Sequence, residues 1–159
     1  HKTYHALLVR TPRDPQGRMV APIGRHPVHR KKMAVCPESG KHAVTAWRVQ
    51  ERYPNGWCLA EIIIETGRTH QIRAHFKHIG HTLFNDERYE GNVILKGVNL
   101  PKYKQFVKNV FEVLPRHALH AHTLGFIHPT TKKEMYFESP MPEDMAEAVK
   151  KWRNYLEHG

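Results

Sequence analysis

The stretch with the most chemically active side chains is ETGRTHQIRAHFKHIGH, residues 65–81, which directly follows the apolar run Ile62-Ile63-Ile64. It contains two arginines and four histidines. Imidazoles bind metal ions, and guanidinium groups beside a helix N-terminus bind anions. The stretch could therefore form a metal site or an anion site. The third possibility is an ordinary strand that leads into an ordinary helix.

The spacing of the four histidines disfavours a metal site. Zinc sites on helices favour histidines at positions i and i+4 together with a third ligand. His70 and His75 are five residues apart, so only His75 and His78 share a helix face, and His81 lies beyond the helix. Because a chain with 14 histidines clusters some of them by chance, we predict no metal. A histidine-rich metal-dependent hydrolase is kept as an alternative, which elemental analysis would test.

Positive charge at the start of the predicted helix favours an anion site. Arg68 precedes the expected N-cap, Thr69, and Arg73 lies one turn into the helix. Free backbone N–H groups and the helix dipole would add to the two guanidinium charges, which suits a phosphate or a carboxylate. The alternative is that both arginines are solvated surface residues. The lone Gly67 matches no glycine-rich nucleotide-binding loop.

The composition predicts one basic domain over residues 1–159. The chain is 40% hydrophobic, and 25 Lys and Arg against 15 Asp and Glu give a net charge of +10 and a pI near 9.8. Such a charge attracts polyanions, first nucleic acid and second an anionic membrane. The sequence has neither a spanning run of roughly 18 to 20 apolar residues nor a signal core, so we expect a soluble, cytoplasmic protein. Cys36 and Cys58 are expected to be reduced thiols.

The order of the elements that must position these residues predicts an α+β fold, with a mostly antiparallel mixed sheet and flanking helices. Residues 3–9 predict a strand, residues 10–32 a basic loop because of four prolines and seven Arg and Lys, and residues 33–35 a short strand. A hairpin follows over residues 42–65, with its turn at Pro54-Asn55-Gly56. Alternation predicts two apolar faces in it, Ala43, Thr45, Trp47 and Val49 on the first strand and Cys58, Ala60, Ile62 and Ile64 on the second.

The remaining elements alternate between helices and one further hairpin. The helix that starts at Thr69 should end at Gly80, with Ile72, Phe76 and Ile79 as its buried stripe. An irregular stretch to about residue 102 and a short helix through Phe106 and Val110 follow. Residues 118–129 and 133–140 predict a second hairpin. A final helix is predicted over residues 142–156, whose apolar positions are Met145, Val149, Trp152 and Leu156.

The stretch ETGRTHQIRAHFKHIGH closely resembles a signature of the RluA/RluD-type RNA pseudouridine synthases. KTYHALLV resembles the Lys-x-Tyr-x-Ala-Leu-Val strand of that family, PIGRHPVHRKKMAV its Pro-Ile-x-Arg-His-Pro loop, and HALHAHTLGFIHP its Leu-His-Ala strand. Four matches in order over nearly the whole chain are far more specific than one motif. The resemblance implies that residues 1–159 are the C-terminal part of a pseudouridine synthase catalytic domain, acting on RNA and in particular on ribosomal RNA.

The resemblance also implies a mechanism and its residues. In this family an aspartate in an Arg-Leu-Asp sequence attacks a flipped-out uridine, the glycosidic bond breaks, and the base rejoins the ribose through carbon 5, without metal or cofactor. Tyr4 matches the tyrosine against the target base, Arg73 the basic residue that pairs with the aspartate, and Leu119 the apolar residue of the pocket. The residues implied to contact RNA are Arg25, His26, Arg30, Lys32, Arg68 and His70.

The sequence departs from the family in two places. Asp14, Asp86 and Asp144 are its only aspartates and none follows Arg-Leu. The family motif precedes the Lys-x-Tyr strand, so we expect a fragment that is inactive alone and lacks an N-terminal part upstream of His1. Asn85-Asp86 stands where the family has Gly-Asp, which bears on the turn there. The alternative is a non-catalytic RNA-binding module derived from the same fold.

Overall fold

In the computed structural model, an antiparallel sheet of six strands forms the centre of the fold. The structure describes residues 2–53, 56–92 and 101–158. For residues 156–158 it describes only the backbone. The strands are β1 (Lys2–Val9), β2 (Gln16–Val20), β3 (Ile23–Arg25), β4 (Met33–Val35), β5 (Val44–Arg52), β6 (Trp57–Ile64), β7 (Leu119–Ile127) and β8 (Glu134–Glu138). The sheet order is β2-β5-β6-β1-β7-β8, and β3 and β4 form a separate two-stranded ribbon. The predicted α+β class with antiparallel pairing is confirmed.

Three helices cover the two faces of the sheet, α1 (Gln71–His78) on one face and α2 (Pro101–Val113) with α3 (Glu143–His158) on the other. Ala6 and Leu8 of β1 pack in the core with α1, whereas Leu7 and Val9 pack with α2 and α3. The first half of β6 is likewise buried on both sides, since Trp57 and Leu59 pack with α2 and α3. The prediction that this strand has only one apolar face was therefore incomplete. A strand between two helical layers has no face left for water, and each large side chain buried there contributes about 1.5 to 3 kcal/mol.

The prediction of an irregular basic loop over residues 10–32 was wrong in part. This stretch contains β2, which pairs with β5, and β3, which pairs with β4. Its four prolines lie before, between and after these two strands, where a missing N–H removes no ladder hydrogen bond. Met19 and Ile23 are therefore able to reach the core in spite of the local proline content.

The prediction of Thr69 as the N-cap of α1 was also wrong. The N-cap is His70, which adopts a left-handed conformation with φ 51° and ψ 27° and makes no capping hydrogen bond with its side chain. The side chain of Gln71 organises the turn instead, because its Oε1 accepts from the backbone N–H of Arg68 at 3.0 Å and from Oγ1 of Thr66 at 2.7 Å. The predicted end of the helix is confirmed, since Gly80 has a positive φ of 83°.

The other predicted elements are present, with small differences in extent. The helix predicted through Phe106 and Val110 is α2, and the second hairpin is β7 with β8. Met145, Val149 and Trp152 of α3 are buried as predicted. Three predictions concern parts of the chain that the structure does not describe. These are Pro54-Asn55 of the first turn, residues 93–100 of the irregular stretch, and the side chain of Leu156. Both cysteines are free thiols, Cys58 buried and Cys36 half-buried.

Candidate functional site

A cavity of about 420 Å³ lies beside the start of α1 and brings five of the nine predicted site residues together. These five residues are Tyr4, Arg68, His70, Arg73 and Leu119. They come from β1, the turn before α1, the first turn of α1 and β7, so the cavity exists only in the folded sheet. Its volume is in the range of small-ligand sites, about 300 to 1,000 Å³.

Tyr4 and Leu119 form a partly apolar wall of this cavity. Strands β1 and β7 are antiparallel neighbours in which Tyr4 faces Ala121 and Ala6 faces Leu119, which places Tyr4 and Leu119 on the same side of the sheet. Both side chains are half-buried and pack against the core that contains Ile72. An aromatic ring and two aliphatic side chains at one side of a cavity can hold a flat, uncharged group.

Arg73 makes a bidentate ion pair with Asp86. This aspartate directly follows Asn85, the residue that stands where the family has glycine. Its Nε and Nη2 atoms donate to the two carboxylate oxygens at 2.8 Å each. The Asp86 side chain is 1% exposed and that of Arg73 12%. The guanidinium also lies 4.8 Å from the ring centroid of Tyr89. Its Nη1 atom has no hydrogen-bond partner within the described residues, so one edge of the group is available to another acceptor.

Asn85 takes the place of the glycine that the family has at this turn. It has a positive φ of 58°, a conformation that glycine adopts freely and asparagine more readily than other residues. Its side-chain Nδ2 donates to the carbonyl oxygen of Leu114 at 2.8 Å, just beyond α2. The turn geometry that glycine would provide is therefore retained, and the amide adds a contact to the next element.

Tyr89 is a buried residue at the site that no sequence pattern predicts. Its hydroxyl accepts from the backbone N–H of Met33 at 2.8 Å and is 3.0 Å from Nδ1 of His70. Burial lowers the pKa of His70, and the charges of Arg73 and Arg88 lower it further. Burial raises the pKa of Tyr89. Tyr89 thus links the β3–β4 ribbon to the cavity, a tertiary relationship for which the sequence carries no local signal.

The four predicted RNA contacts of the ribbon lie outside this cavity. Arg25 and Arg30 are exposed at the turn, where Nη1 of Arg25 donates to the carbonyl oxygen of Arg30 at 3.0 Å. Nδ1 of His26 accepts from the backbone N–H of His29 at 3.0 Å. Lys32 lines a second cavity of about 760 Å³, which shares Arg73 and His117 with the first. The ribbon therefore borders the site and does not form its wall.

The histidines that suggested a metal lie in separate environments. His75 is fully buried, with Nδ1 at 2.7 Å from Oγ1 of Thr45 and Nε2 at 2.8 Å from the carbonyl oxygen of Ala21. His81 donates through Nδ1 to the carbonyl oxygen of Arg10 at 2.6 Å. Within the described ranges, no three His, Cys, Asp or Glu side chains are grouped so that they could hold a metal ion. None of the described helices is long and apolar enough to cross a membrane.

Comparison with known proteins identifies the fold and the family. A solved structure, human RNA pseudouridylate synthase domain containing 1, superposes with a TM-score of 0.68 at 21% identity and covers 99% of this chain and 66% of its own. The fold is therefore that of an RNA pseudouridylate synthase domain. Residues 1–78 match the family described as RNA pseudouridylate synthase.

Proteins of similar sequence show to which family of RNA pseudouridine synthases the chain belongs. An uncharacterized RNA pseudouridine synthase of Chlorobaculum parvum is 38% identical over 158 residues, which are 98% of this chain and 48% of that protein. Ribosomal large subunit pseudouridine synthase D of Pseudomonas aeruginosa is 44% identical over 128 residues, which are 80% of this chain and 38% of that protein. The chain belongs to the RluA/RluD-type family of RNA pseudouridine synthases. It spans about half or less of the length of these two relatives.

Proposed function

We propose that this chain forms the C-terminal part of the catalytic domain of an enzyme that isomerises uridine to pseudouridine in RNA, with ribosomal RNA as the substrate. The observation that carries the proposal is the single cavity in which Tyr4, Arg73 and Leu119 meet. The names of the relatives, including the ribosomal large subunit synthase, support this reaction and this substrate class.

In this proposal the partly apolar wall receives the flipped-out base. Extrusion of a uridine from structured RNA requires a pocket that offers stacking and apolar contact in exchange for lost base stacking. The ring of Tyr4 stacks against the base, and Leu119 limits the pocket on the neighbouring strand. The hydroxyl of Tyr4 is the candidate for proton transfer at the ribose.

Arg73 orients the nucleophilic carboxylate in the proposed reaction. A guanidinium has five N–H donors, of which Asp86 uses two. The Nη1 side can bind a second carboxylate, and an adjacent fixed cation keeps such a carboxylate ionised and therefore nucleophilic. Asp86 then holds Arg73 in the orientation that the second carboxylate needs.

The basic side chains in and beside the cavity contact the RNA backbone or the displaced base. The proposed contacts are Arg25, His26, Arg30, Lys32, Arg68 and His70. Because the net charge is +10, we expect binding that weakens steeply with salt.

Tritium release from ribosomal RNA labelled at carbon 5 of uridine tests the proposal. The chain alone should release none above background, since no aspartate in it follows Arg-Leu. The source gene should encode Arg-Leu-Asp in frame ahead of codon 1, and the longer product should release tritium. Release by the chain alone at the rate of the longer product would contradict the assignment of the nucleophile. A longer product that binds RNA but releases no tritium would favour the RNA-binding module instead.

A pair of variants in the longer product tests the residues. Tyr4→Phe should lower the rate of release if the hydroxyl transfers a proton, and Arg73→Gln should lower it further because the carboxylate loses its cation. Tyr136→Phe removes a hydroxyl from a side chain that is 66% exposed on β8 and should have no effect. Equal rates for Tyr4→Phe and Tyr136→Phe would exclude Tyr4 as a proton donor or acceptor.

A further inference from the structure

The hydrogen bonds of Tyr89 fix the direction of the bond to His70. Tyr89 is 2% exposed. The backbone N–H of Met33 can only donate, so the hydroxyl oxygen accepts there, at 2.8 Å. The phenolic proton then needs its own acceptor, because a buried donor without one is strongly unfavourable. Nδ1 of His70, at 3.0 Å, is the acceptor that the described structure provides.

This direction selects the tautomer of His70. If Nδ1 accepts the phenolic proton, the ring proton resides on Nε2 and the imidazole is neutral. Nε2 makes no hydrogen bond with the described residues, and the side chain lines the cavity. Burial and the nearby Arg73, Arg88 and His117 oppose protonation of the ring, whereas Asp86 favours it. The net effect is a lowered pKa for His70.

The backbone also holds His70 in place. The residue has φ 51° and ψ 27°, the left-handed region that non-glycine residues seldom occupy. Such a conformation persists only where surrounding contacts determine it. Here the contact is the bond to Tyr89, whose ring in turn packs on the guanidinium of Arg73 at 4.8 Å.

We propose that His70 is a fixed, neutral N–H donor to a carbonyl oxygen of the base in the cavity, and that Tyr89 is the positioning residue that selects its tautomer. The proposal rests on the proposed function in taking the cavity ligand to be an RNA base. A base is favoured over a phosphate because Tyr4, Ile72 and Leu119 give the cavity an aromatic and aliphatic side. A donor without net charge matches a neutral carbonyl and discriminates against an amino group at the same position.

The first test is the ring ¹⁵N spectrum of the free chain at pH 7, with the His70 signals assigned from the His70→Gln variant. We expect the Nε2–H tautomer. An Nδ1–H tautomer would overturn the proposal. This measurement needs no RNA and no Tyr89 variant, so it distinguishes failure of this inference from failure of the proposed function.

The second test compares Tyr89→Phe with Tyr136→Phe, an exposed tyrosine, in binding to a uridine-containing RNA. Loss of one hydrogen bond predicts binding that is about threefold to tenfold weaker for Tyr89→Phe and unchanged for Tyr136→Phe. Tyr89→Phe should also give a mixture of His70 tautomers, which a purely structural role of the hydroxyl would not produce. A single unchanged tautomer in this variant would overturn the role of Tyr89.

The third test asks whether a donor at the Nε2 position suffices. His70→Gln keeps an N–H donor at the corresponding atom and His70→Leu does not, while both side chains meet the same backbone conformation. We expect the glutamine variant to retain most of the affinity and the leucine variant to lose about threefold to tenfold. Equal losses in the two variants would contradict donation by the side chain.

Titration of the free chain with two small probes distinguishes the kind of acceptor. A shift of the His70 Nε2 signal with uridine supports a base carbonyl. A shift with inorganic phosphate alone would overturn that assignment, and the absence of any shift with both probes and with RNA that binds would overturn the donor role.

Discussion

The guanidinium of Arg73 and the carboxylate of Asp86 form a bidentate ion pair that joins the first turn of α1 to the turn after it, with 1% of the acid exposed. Removing one partner of a buried pair leaves an uncompensated charge, which destabilises a protein by about 3 to 5 kcal/mol. We therefore expect Asp86→Asn to lower the free energy of unfolding by about that amount, measured by urea denaturation.

A second bidentate pair provides the matched control. Arg116 and Asp144 bond at 2.9 Å twice, but their side chains are 36% and 32% exposed. The Arg116 guanidinium holds the pKa of the Asp144 carboxyl below its usual value. Water screens this pair, so Asp144→Asn should change the free energy of unfolding by about 1 kcal/mol or less. Equal losses at both sites would mean that burial does not govern the Arg73 pair.

The charges of the β3–β4 ribbon should determine the salt dependence of RNA binding. Each phosphate contact contributes about 0.7 to 0.9 to the slope of log K against log salt concentration. The double variant Arg30→Gln with Lys32→Gln should reduce the slope by about 1 to 2. The same change of charge at Lys104 and Lys108 of α2, on the opposite face of the sheet, should leave it unchanged. Equal slopes for the two double variants would remove the ribbon from the interface.

His75 should make the fold sensitive to acid. Burial lowers its pKa below 6.5, although the bond from Nε2 to the carbonyl oxygen of Ala21 opposes this shift in part. The unfolded chain therefore takes up the proton first as pH falls through about 6.5, and stability is lost progressively from there towards the lower pKa of the folded state. The free energy of unfolding should be larger at pH 7 than at pH 5. His75→Gln should flatten this dependence, whereas His78→Gln, an exposed neighbour, should not.

The two thiols should differ in reactivity. Cys58 is fully buried, and burial raises its pKa to about 11, whereas Cys36 is half-buried beside the ribbon. Since the thiolate is the reactive form, a disulfide reagent at pH 8 should label one thiol in the folded protein and two after denaturation. Cys36→Ser should leave no rapidly labelled thiol. Rapid labelling in that variant would mean that the sheet opens at Cys58.

Local patterns were sufficient for most elements of the fold. The hairpin strands and α3 follow from alternation and from helical spacing that can be read directly from residues such as Ile62 or Trp152. The two strands within residues 10–32 could not be predicted, because their pairing with β5 and β4 depends on chain segments distant in sequence. The sequence likewise predicts Thr69 as the helix cap, whereas the helix starts one residue later, after a turn held by the side chain of Gln71.

The candidate site was predictable mainly through the family resemblance. From composition alone, solvated surface residues were a reasonable alternative for Arg68 and Arg73, and only the resemblance indicated Leu119. Tyr89 and the pairing of Asp86 with Arg73 were missed, because both depend on burial and on partners in other elements. These partners can be identified only from the structure, in which the turns after α1 lie beside the β3–β4 ribbon.

The central position of β1 has a consequence for how the protein is made. Its two neighbours in the sheet, β6 and β7, both follow it in the chain, β7 after most of the remaining elements. On the ribosome, the apolar strand Ala6-Leu7-Leu8-Val9 therefore leaves the exit tunnel well before either pairing edge exists. Sheets that depend on such distant pairings form slowly, and unpaired apolar strands aggregate. Nascent chains of this protein should accordingly be clients of chaperones that bind extended apolar segments until β7 has been translated.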